Sequence, residues 1–349
     1  MVRQQAARSG EIKDMNRILF IYQDEKLPSS RIRVLNLVPE IRNRGIDPVA
    51  VPYPKTIPEK IKILRQLGHF DIIYLQKKLL TPLEARLFRH NAKQLVFDFD
   101  DAIYYHDDRH AQAESRTRSL KFQCLVRSVD LVVAGNRILA DYAGQFNHNV
   151  TVVPSAVETR NIPQKCYQND AGTGDPVRVI IGWVGGKGNL HHLKMLSPVF
   201  QSLARSHNIQ VNVVCDAAID IPGVTVRHIP WTLEIQDQEV ARFDIGVMPL
   251  PDNQWTQGKC GYKILQYMAA AVPAVCSDVG SNRDIVEHGR EGFVVSSPGG
   301  FYQTLNTLIT DAGLRKEMGA NARRKVEEHF SIPAVGKKLA DELSSRLLS

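Results

Sequence analysis

Short apolar runs alternate with longer amphipathic stretches along almost the whole chain. In the first half the runs are Arg17–Gln23 (RILFIYQ), Pro48–Tyr53 (PVAVPY), Asp71–Gln76 (DIIYLQ), Gln94–Phe99 (QLVFDF), Asp130–Ala134 (DLVVA) and Asn149–Pro154 (NVTVVP). They are apolar at consecutive rather than alternate positions, the mark of parallel strands covered on both faces. Between them, helical periodicity appears near Ser30–Arg44, Pro58–Leu67, Pro82–Asn91, Ala113–Ser128 and Asn136–Phe146. Repeated strand–helix–strand order predicts a doubly wound α/β domain.

The pattern then lapses. Residues 157–176 (VETRNIPQKCYQNDAGTGDP) are polar and aperiodic and read as a linker. Alternation resumes with Arg178–Val184, Gln210–Cys215, Thr225–Ile229, Asp244–Leu250, Ala274–Ser277 and Gly292–Val295, followed by a helical tail. The expected organisation is a loose lead-in over 1–16, a Rossmann-like domain over 17–156, the linker, and a second Rossmann-like domain over 177–330. A helix over 331–349 is expected to pack back toward the first domain. Ligands of such a pair bind at the carboxyl ends of the strands, in the cleft the two domains share.

Composition narrows the class. With 43% hydrophobic and 23% charged residues in 349, the chain is globular rather than disordered. It has no apolar run long enough for a membrane-spanning helix, and MVRQQAARSGEIKDMN lacks the apolar centre of a secretory signal. The 5 cysteines are scattered without a C-x-x-C pair, which fits a reducing cytoplasm and predicts no zinc site. Net charge is +7, but residues 1–97 hold 18 Lys and Arg against 9 Asp and Glu, so the first part alone carries +9. That asymmetry suggests an anionic partner, nucleic acid or an acidic membrane surface, or else a solvated basic face.

Three stretches carry candidate chemistry. The first, Ile181–Leu190 (IGWVGGKGNL), ends a strand with Gly185, Gly186 and Lys187. Glycines there let backbone amides approach a phosphate at a helix start, although the spacing is not G-x-G-x-x-G. The second is GKCGYKILQYMAAAVPAVCS, in which Lys259 and Lys263, four apart, flank the start of a helix from about Tyr262 and are expected to point to one side. Lysines at that positive end of the helix dipole are unfavourable unless an anion sits there. The third is the acidic run Phe97–Asp101, in which Asp98, Asp100 or Asp101 is a candidate to orient or deprotonate an acceptor hydroxyl. Asp98-x-Asp100 also fits a metal-binding D-x-D or a phosphatase nucleophile, but the surrounding layout of neither is present. His106 and His110 have the spacing of a metal pair but lack the glutamate of H-E-x-x-H. They read as loop histidines, with His106 facing the cleft.

The block DIGVMPL, the GKCGYKILQYM helix and VGSNRDIVEHGREGF together resemble the donor-binding half of family 4 glycosyltransferases. The resemblance extends over most of 178–330. It implies a GT-B fold of two Rossmann-like domains, and transfer of a sugar from a nucleotide-diphosphate sugar to an acceptor hydroxyl. By the same resemblance, Gly185, Gly186, Lys187, Lys259, Gly261, Tyr262 and Lys263 would hold the donor diphosphate. Gln266, Trp231 and Pro230 would meet the ribose and base. Asp252, Asn253, Gly258 and Cys260 would lie near the donor sugar, and Ser30 and Arg31 in a cleft loop of the first domain. The family's two glutamates, seven residues apart, are replaced by Gly258 and Gln266, and Trp183 stands about where the family keeps an arginine.

The resemblance further implies retention at the anomeric carbon, no cofactor and no obligatory metal. It also implies a glycan or lipid-linked acceptor in polysaccharide or glycolipid assembly. The anionic partner is then a cytoplasmic membrane face reached by the basic helix within 54–68 (Ile57, Ile61, Leu64 and Gly68 with Lys60, Lys62 and Arg65), not a nucleic acid. Rival readings are an epimerase of the same fold and a non-catalytic nucleotide-sugar or glycan binder.

Overall fold

The computed structural model describes residues 16–167 and 178–347. Nearly all of the expected lead-in and the second half of the expected linker lie outside those residues. Two six-stranded sheets account for the apolar runs. The first holds β1 (Arg17–Tyr22), β2 (Asp47–Pro52), β3 (Ile72–Gln76), β4 (Gln94–Phe99), β5 (Leu131–Ala134) and β6 (Val150–Val152), in the order β2-β1-β3-β4-β5-β6. The second holds β7 (Val179–Val184), β8 (Ile209–Cys215), β9 (Val226–Pro230), β10 (Ile245–Met248), β11 (Ala274–Ser277) and β12 (Gly292–Val295), in the order β12-β11-β10-β7-β8-β9.

Every strand pair is parallel. All five residues of β3 and all four of β10 are buried, which is what consecutive apolar positions require. Each sheet is doubly wound and Rossmann-like, the two-domain GT-B layout expected from the sequence.

The segment near Ser30–Arg44 is not one helix. A turn at Pro28–Ser30 widens into a π-type coil at Arg31–Leu35, where the Asn36 amide donates to the Arg31 carbonyl at 2.9 Å, five residues back. Helix Val38–Arg42 then restarts with Pro39 in its first turn, where a missing amide is harmless. The wide coil turns Arg33 inward, and its side chain is 1% exposed.

The last helix, Ile332–Leu347, crosses back to the first domain. Its Val335, Leu339, Ala340 and Leu343 join Ile18, Phe20, Leu37 and Ile41 in one core. Burying each leucine-sized side chain contributes roughly 1.5–3 kcal/mol. At the crossing, the Val157 amide donates to the Phe330 carbonyl at 2.9 Å, and the Ile332 amide to the Val157 carbonyl at 3.2 Å. The two strands of chain that join the domains are thus bonded to each other.

Candidate functional site

β7 and β10 are neighbours from which the chain leaves toward opposite ends of the second sheet, so a crevice opens at their carboxyl ends. β7 ends in Gly185 and Gly186, and a single turn, Lys187–Asn189, follows. β10 leads through a turn at Thr256–Gly258 to helix Tyr262–Ala269. Gly261 caps that helix at φ 63°, and a Cβ there would lie 2.3 Å from Ile285 Cδ1, so both backbone and packing demand glycine. Ile264, Leu265, Tyr267 and Met268 bury one face of the helix completely.

Lys263 stands on another face, its ammonium 5.4 Å from the centre of the Trp183 ring. Burial, then repulsion from Lys259, push its pKa down to about 8. Gly185 makes this arrangement possible, since a Cβ there would lie 2.8 Å from both Lys263 Cε and the Trp183 ring. Lys187 is exposed, and its amide donates to Asp216 at 2.5 Å, so one donor of the glycine loop is already engaged.

Behind the crevice an amide network joins the expected ribose and base residues. Gln266 Nε2 donates to Gln236 Oε1 at 3.2 Å, and Trp231 Nε1 donates to the same oxygen at 3.0 Å. Gln236 holds both side chains in place, and no local pattern in the sequence pointed to it. Gln266 keeps its own carbonyl oxygen available as an acceptor. Pro230 is exposed at the end of β9, and Tyr262 is half-buried at the helix start.

Three expectations on the second domain change in detail. Lys259 precedes the helix in extended backbone, so the rule that side chains four apart share a helix face does not apply to it. It reaches across the cleft instead, its ammonium 3.3 Å from Asp101 and 4.8 Å from the centre of the Trp255 ring. Asn253 spends its Oδ1 on the Trp255 and Thr256 amides at 3.0 and 2.9 Å, capping the turn, while exposed Asp252 accepts from Gln257 at 2.5 Å. Gly258 is pressed against the first domain, where a Cβ would lie 2.7 Å from the Ala102 amide nitrogen. No larger residue fits there without opening the cleft.

On the first domain, Asp98 must be withdrawn as a cleft acid. It is completely buried beneath the sheet, paired through both carboxylate oxygens with the buried guanidinium of Arg33. Arg33 also donates to the Val153 carbonyl at 2.6 Å. Alternation explains the difference: Phe97 and Phe99 face one core and Asp98 the other, and the chain leaves the strand only afterwards. Ser30 is withdrawn for the same reason, being fully buried with its hydroxyl accepting from the Asp24 amide at 3.3 Å. Arg31 donates to the Lys26 carbonyl at 3.2 Å, and its charge is felt by Tyr262 across the cleft.

Asp100 and Asp101 do reach the cleft, and a residue that was not anticipated bridges them. Lys77, at the end of β3 with φ 56°, places its ammonium 2.7 Å from Asp100 and in direct contact with Asp101. Burial acts to raise the Asp101 pKa, but Lys259 and Lys77 outweigh it and hold the carboxyl at about 2. Lys77 was legible by the strand-end rule that singled out the aspartates, since it directly follows an apolar run. His106 stacks on His110 at 4.6 Å within its loop, and His110 shares a hydrogen bond of 2.9 Å with Asp107.

Two further contacts seal the domains together. Asn136 Nδ2 donates to the Gly258 and Lys259 carbonyls at 3.2 and 3.1 Å. The buried Cys260 thiol lies 3.2 Å from the Asp100 carbonyl. Burial and the nearby Asp100 push that thiol far above the usual range, so Cys260 is a packing residue and not a nucleophile.

The crevice therefore combines a glycine turn, a helix start, a cation under an indole and an amide network. Residues 178–311, which contain all of these, match the family model described as Glycosyl transferases group 1. Over that stretch the chain is similar to the group 1 glycosyltransferases. Two Bacillus subtilis proteins are similar to this chain: YtcC is 33% identical over 118 residues, and Spore coat protein SA is 28% identical over 116. Each alignment covers 32% of this chain and less than a third of the relative, 28% and 30% respectively. Over nearly the whole chain, the structure of Anabaena HepE in complex with UDP and glucose superposes with a TM-score of 0.69 at 16% identity. It covers 95% of this chain and 100% of that one, a likeness of fold.

Proposed function

We propose that the protein transfers a sugar from a nucleotide-diphosphate sugar to an acceptor hydroxyl. The observation that carries this reading is the crevice of the group 1 domain, where Lys263 and the start of helix Tyr262–Ala269 face the mouth of the glycine turn. Such a preorganised positive site stabilises the departing diphosphate, where charge develops in the transition state. UDP is the first nucleotide to test, because a protein of the same fold holds it. Retention at the anomeric carbon, a polysaccharide or glycolipid pathway, and independence of cofactor or metal are part of the same proposal, carried by resemblance.

Calorimetry with UDP and other nucleoside diphosphates, followed by turnover of the matching sugar donor with and without acceptor extracts, tests it. Transfer that depends on acceptor supports the reading. Epimerised donor without acceptor, or binding without turnover, replaces it with one of the two rivals.

The acceptor side includes a candidate membrane surface. Helix Ile57–Gln66 exposes Ile57 (74%) and Ile61 (45%), and helix Pro82–Asn91, which it contacts, exposes Leu83 (67%) and Leu87 (38%). Lys62, Arg65 and Arg86 are exposed on the same two helices. Leu64 turns into the core, Gly68 lies beyond the helix, and Lys60 is taken by Glu84 at 2.7 Å, so the face is narrower than the sequence suggested. No helix among the described residues is long and apolar enough to cross a membrane.

We propose shallow docking on an anionic leaflet, with each free cation contributing about 1 kcal/mol. Lys62→Gln with Arg65→Gln should cut sedimentation with phosphatidylserine vesicles several-fold at low salt and leave neutral vesicles unaffected. Absence of any vesicle binding by the unmodified chain would point to an acceptor in solution.

A further inference from the structure

A second cluster spans the cleft beside the diphosphate crevice. Asp108 comes from the loop after β4, and His191 and His192 come from the short helix Leu190–Lys194 after β7. Asp108 Oδ2 lies 2.5 Å from His192 Nε2 and 3.5 Å from His191 Nε2. One ligand atom from each of the three falls within 4.8 Å of the other two. His192 is 2% and Asp108 9% exposed, whereas His191 is 43% exposed and gives the group one open side.

We propose that Asp108, His191 and His192 form a site for a divalent transition metal of the zinc class, which ties the two domains together. Two imidazole nitrogens and one carboxylate oxygen are the donor set that suits zinc, cobalt or nickel, whereas magnesium and calcium prefer all-oxygen cages. Bonds of about 2.0–2.2 Å on a tetrahedron place ligand atoms roughly 3.3 Å apart. The Asp108–His192 contact must therefore open by under 1 Å or so, and the remaining separation must close by a comparable amount. A fourth position stays free on the exposed side of His191.

A metal needs neutral imidazoles, and burial lowers the His192 pKa although Asp108 acts to raise it. Two cations oppose the ion. The charge of Lys263 reaches His192, and Arg109 stands beside Asp108, although Arg109 is committed to Asp107. With one carboxylate against that background, affinity on the order of 10 µM is expected rather than the nanomolar binding of a closed structural site.

Because its ligands come from both domains, the ion would hold the cleft closed beside the diphosphate crevice. The proposal is independent of the sugar-transfer reading.

The test uses the full chain stripped of metal. Equilibrium dialysis against Zn²⁺ should give one bound ion per chain. Co²⁺ should give the visible absorption of tetrahedral nitrogen and oxygen ligation. His192→Ala and Asp108→Asn should each weaken binding by at least about tenfold. The exposed His191→Ala, which leaves the buried pair intact and should fold normally, should weaken it by a similar factor. Small-angle scattering should show a smaller radius with Zn²⁺ in the unmodified chain and no change in the variants.

Absence of stoichiometric binding at about 100 µM Zn²⁺ would leave the cluster as a hydrogen-bonded latch and overturn the proposal. So would binding that survives in all three variants, which would assign the ion to surface thiols or other histidines.

Discussion

The carboxyl ends of the two sheets face each other and treat charge in opposite ways. The first sheet presents two aspartates and pairs both with its own Lys77, which leaves one negative charge over. The second presents Lys263 under Trp183, with no ion pair to it from its own domain among the described residues, and lends Lys259 to Asp101 across the cleft. One end is left with a negative charge that the other domain meets, and the other is left wanting an anion. On the proposed transfer reading, the second domain would take the charged part of a substrate and the first its neutral, hydroxyl-bearing part.

The comparison is sharpest at β4. Asp98→Asn leaves Arg33 charged, buried and half-partnered, and should cost about 3–5 kcal/mol in chemical denaturation. Asp101→Asn leaves Lys77 paired with Asp100 and should cost less in the same measurement, about 1–3 kcal/mol. If it acts on the acceptor, transfer falls while donor binding persists. Equal stability losses for the two variants would place both carboxylates in the same structural class.

Next in size is Lys263→Ala. Loss of a charge-assisted contact should weaken UDP binding by about 1.5–3 kcal/mol, roughly ten- to a hundredfold, and leave uridine binding nearly unchanged. Calorimetry on both ligands checks it, and equal losses would remove Lys263 from the diphosphate site.

A smaller effect follows from its lowered pKa. Lys263 carries its proton below about 8 and loses it above. UDP affinity should therefore fall as pH rises from 7 to 9, by at most tenfold per unit, while uridine affinity stays level. Lys263→Arg, always charged, should flatten the profile.

Much of this was legible because local chemistry and global fold agree. Consecutive apolar positions located the strands, and the runs Gln94–Phe99, Ala274–Ser277 and Gly292–Val295 form strands with those bounds. Gly185 and Gly261 mark places where no Cβ fits. What the sequence hid is contact between distant segments. Nothing near Arg33 announces that a widened coil will turn it onto Asp98, 65 positions away. Gln236 sits in a polar stretch indistinguishable from surface, and its role appears only when β9 and helix Tyr262–Ala269 bring Trp231 and Gln266 to it. Lys259 was misread because a helix rule was extended three residues before the helix begins.

The crossing at Val157 and Phe330 has a practical consequence for anyone dividing the molecule. The domains are joined twice, and the last 16-residue helix belongs by packing to the opposite domain from the one that precedes it in sequence. A fragment ending near residue 156 would expose the apolar groove that Leu339 and Leu343 fill, and should aggregate unless 332–347 is supplied in trans or grafted on. A fragment spanning 178–330 gives up a smaller patch, Val157 and Ile162, from its own core. Two joints bonded side by side also act as a hinge pin, so opening of the cleft should follow one rotation axis rather than the free swing a single linker would permit.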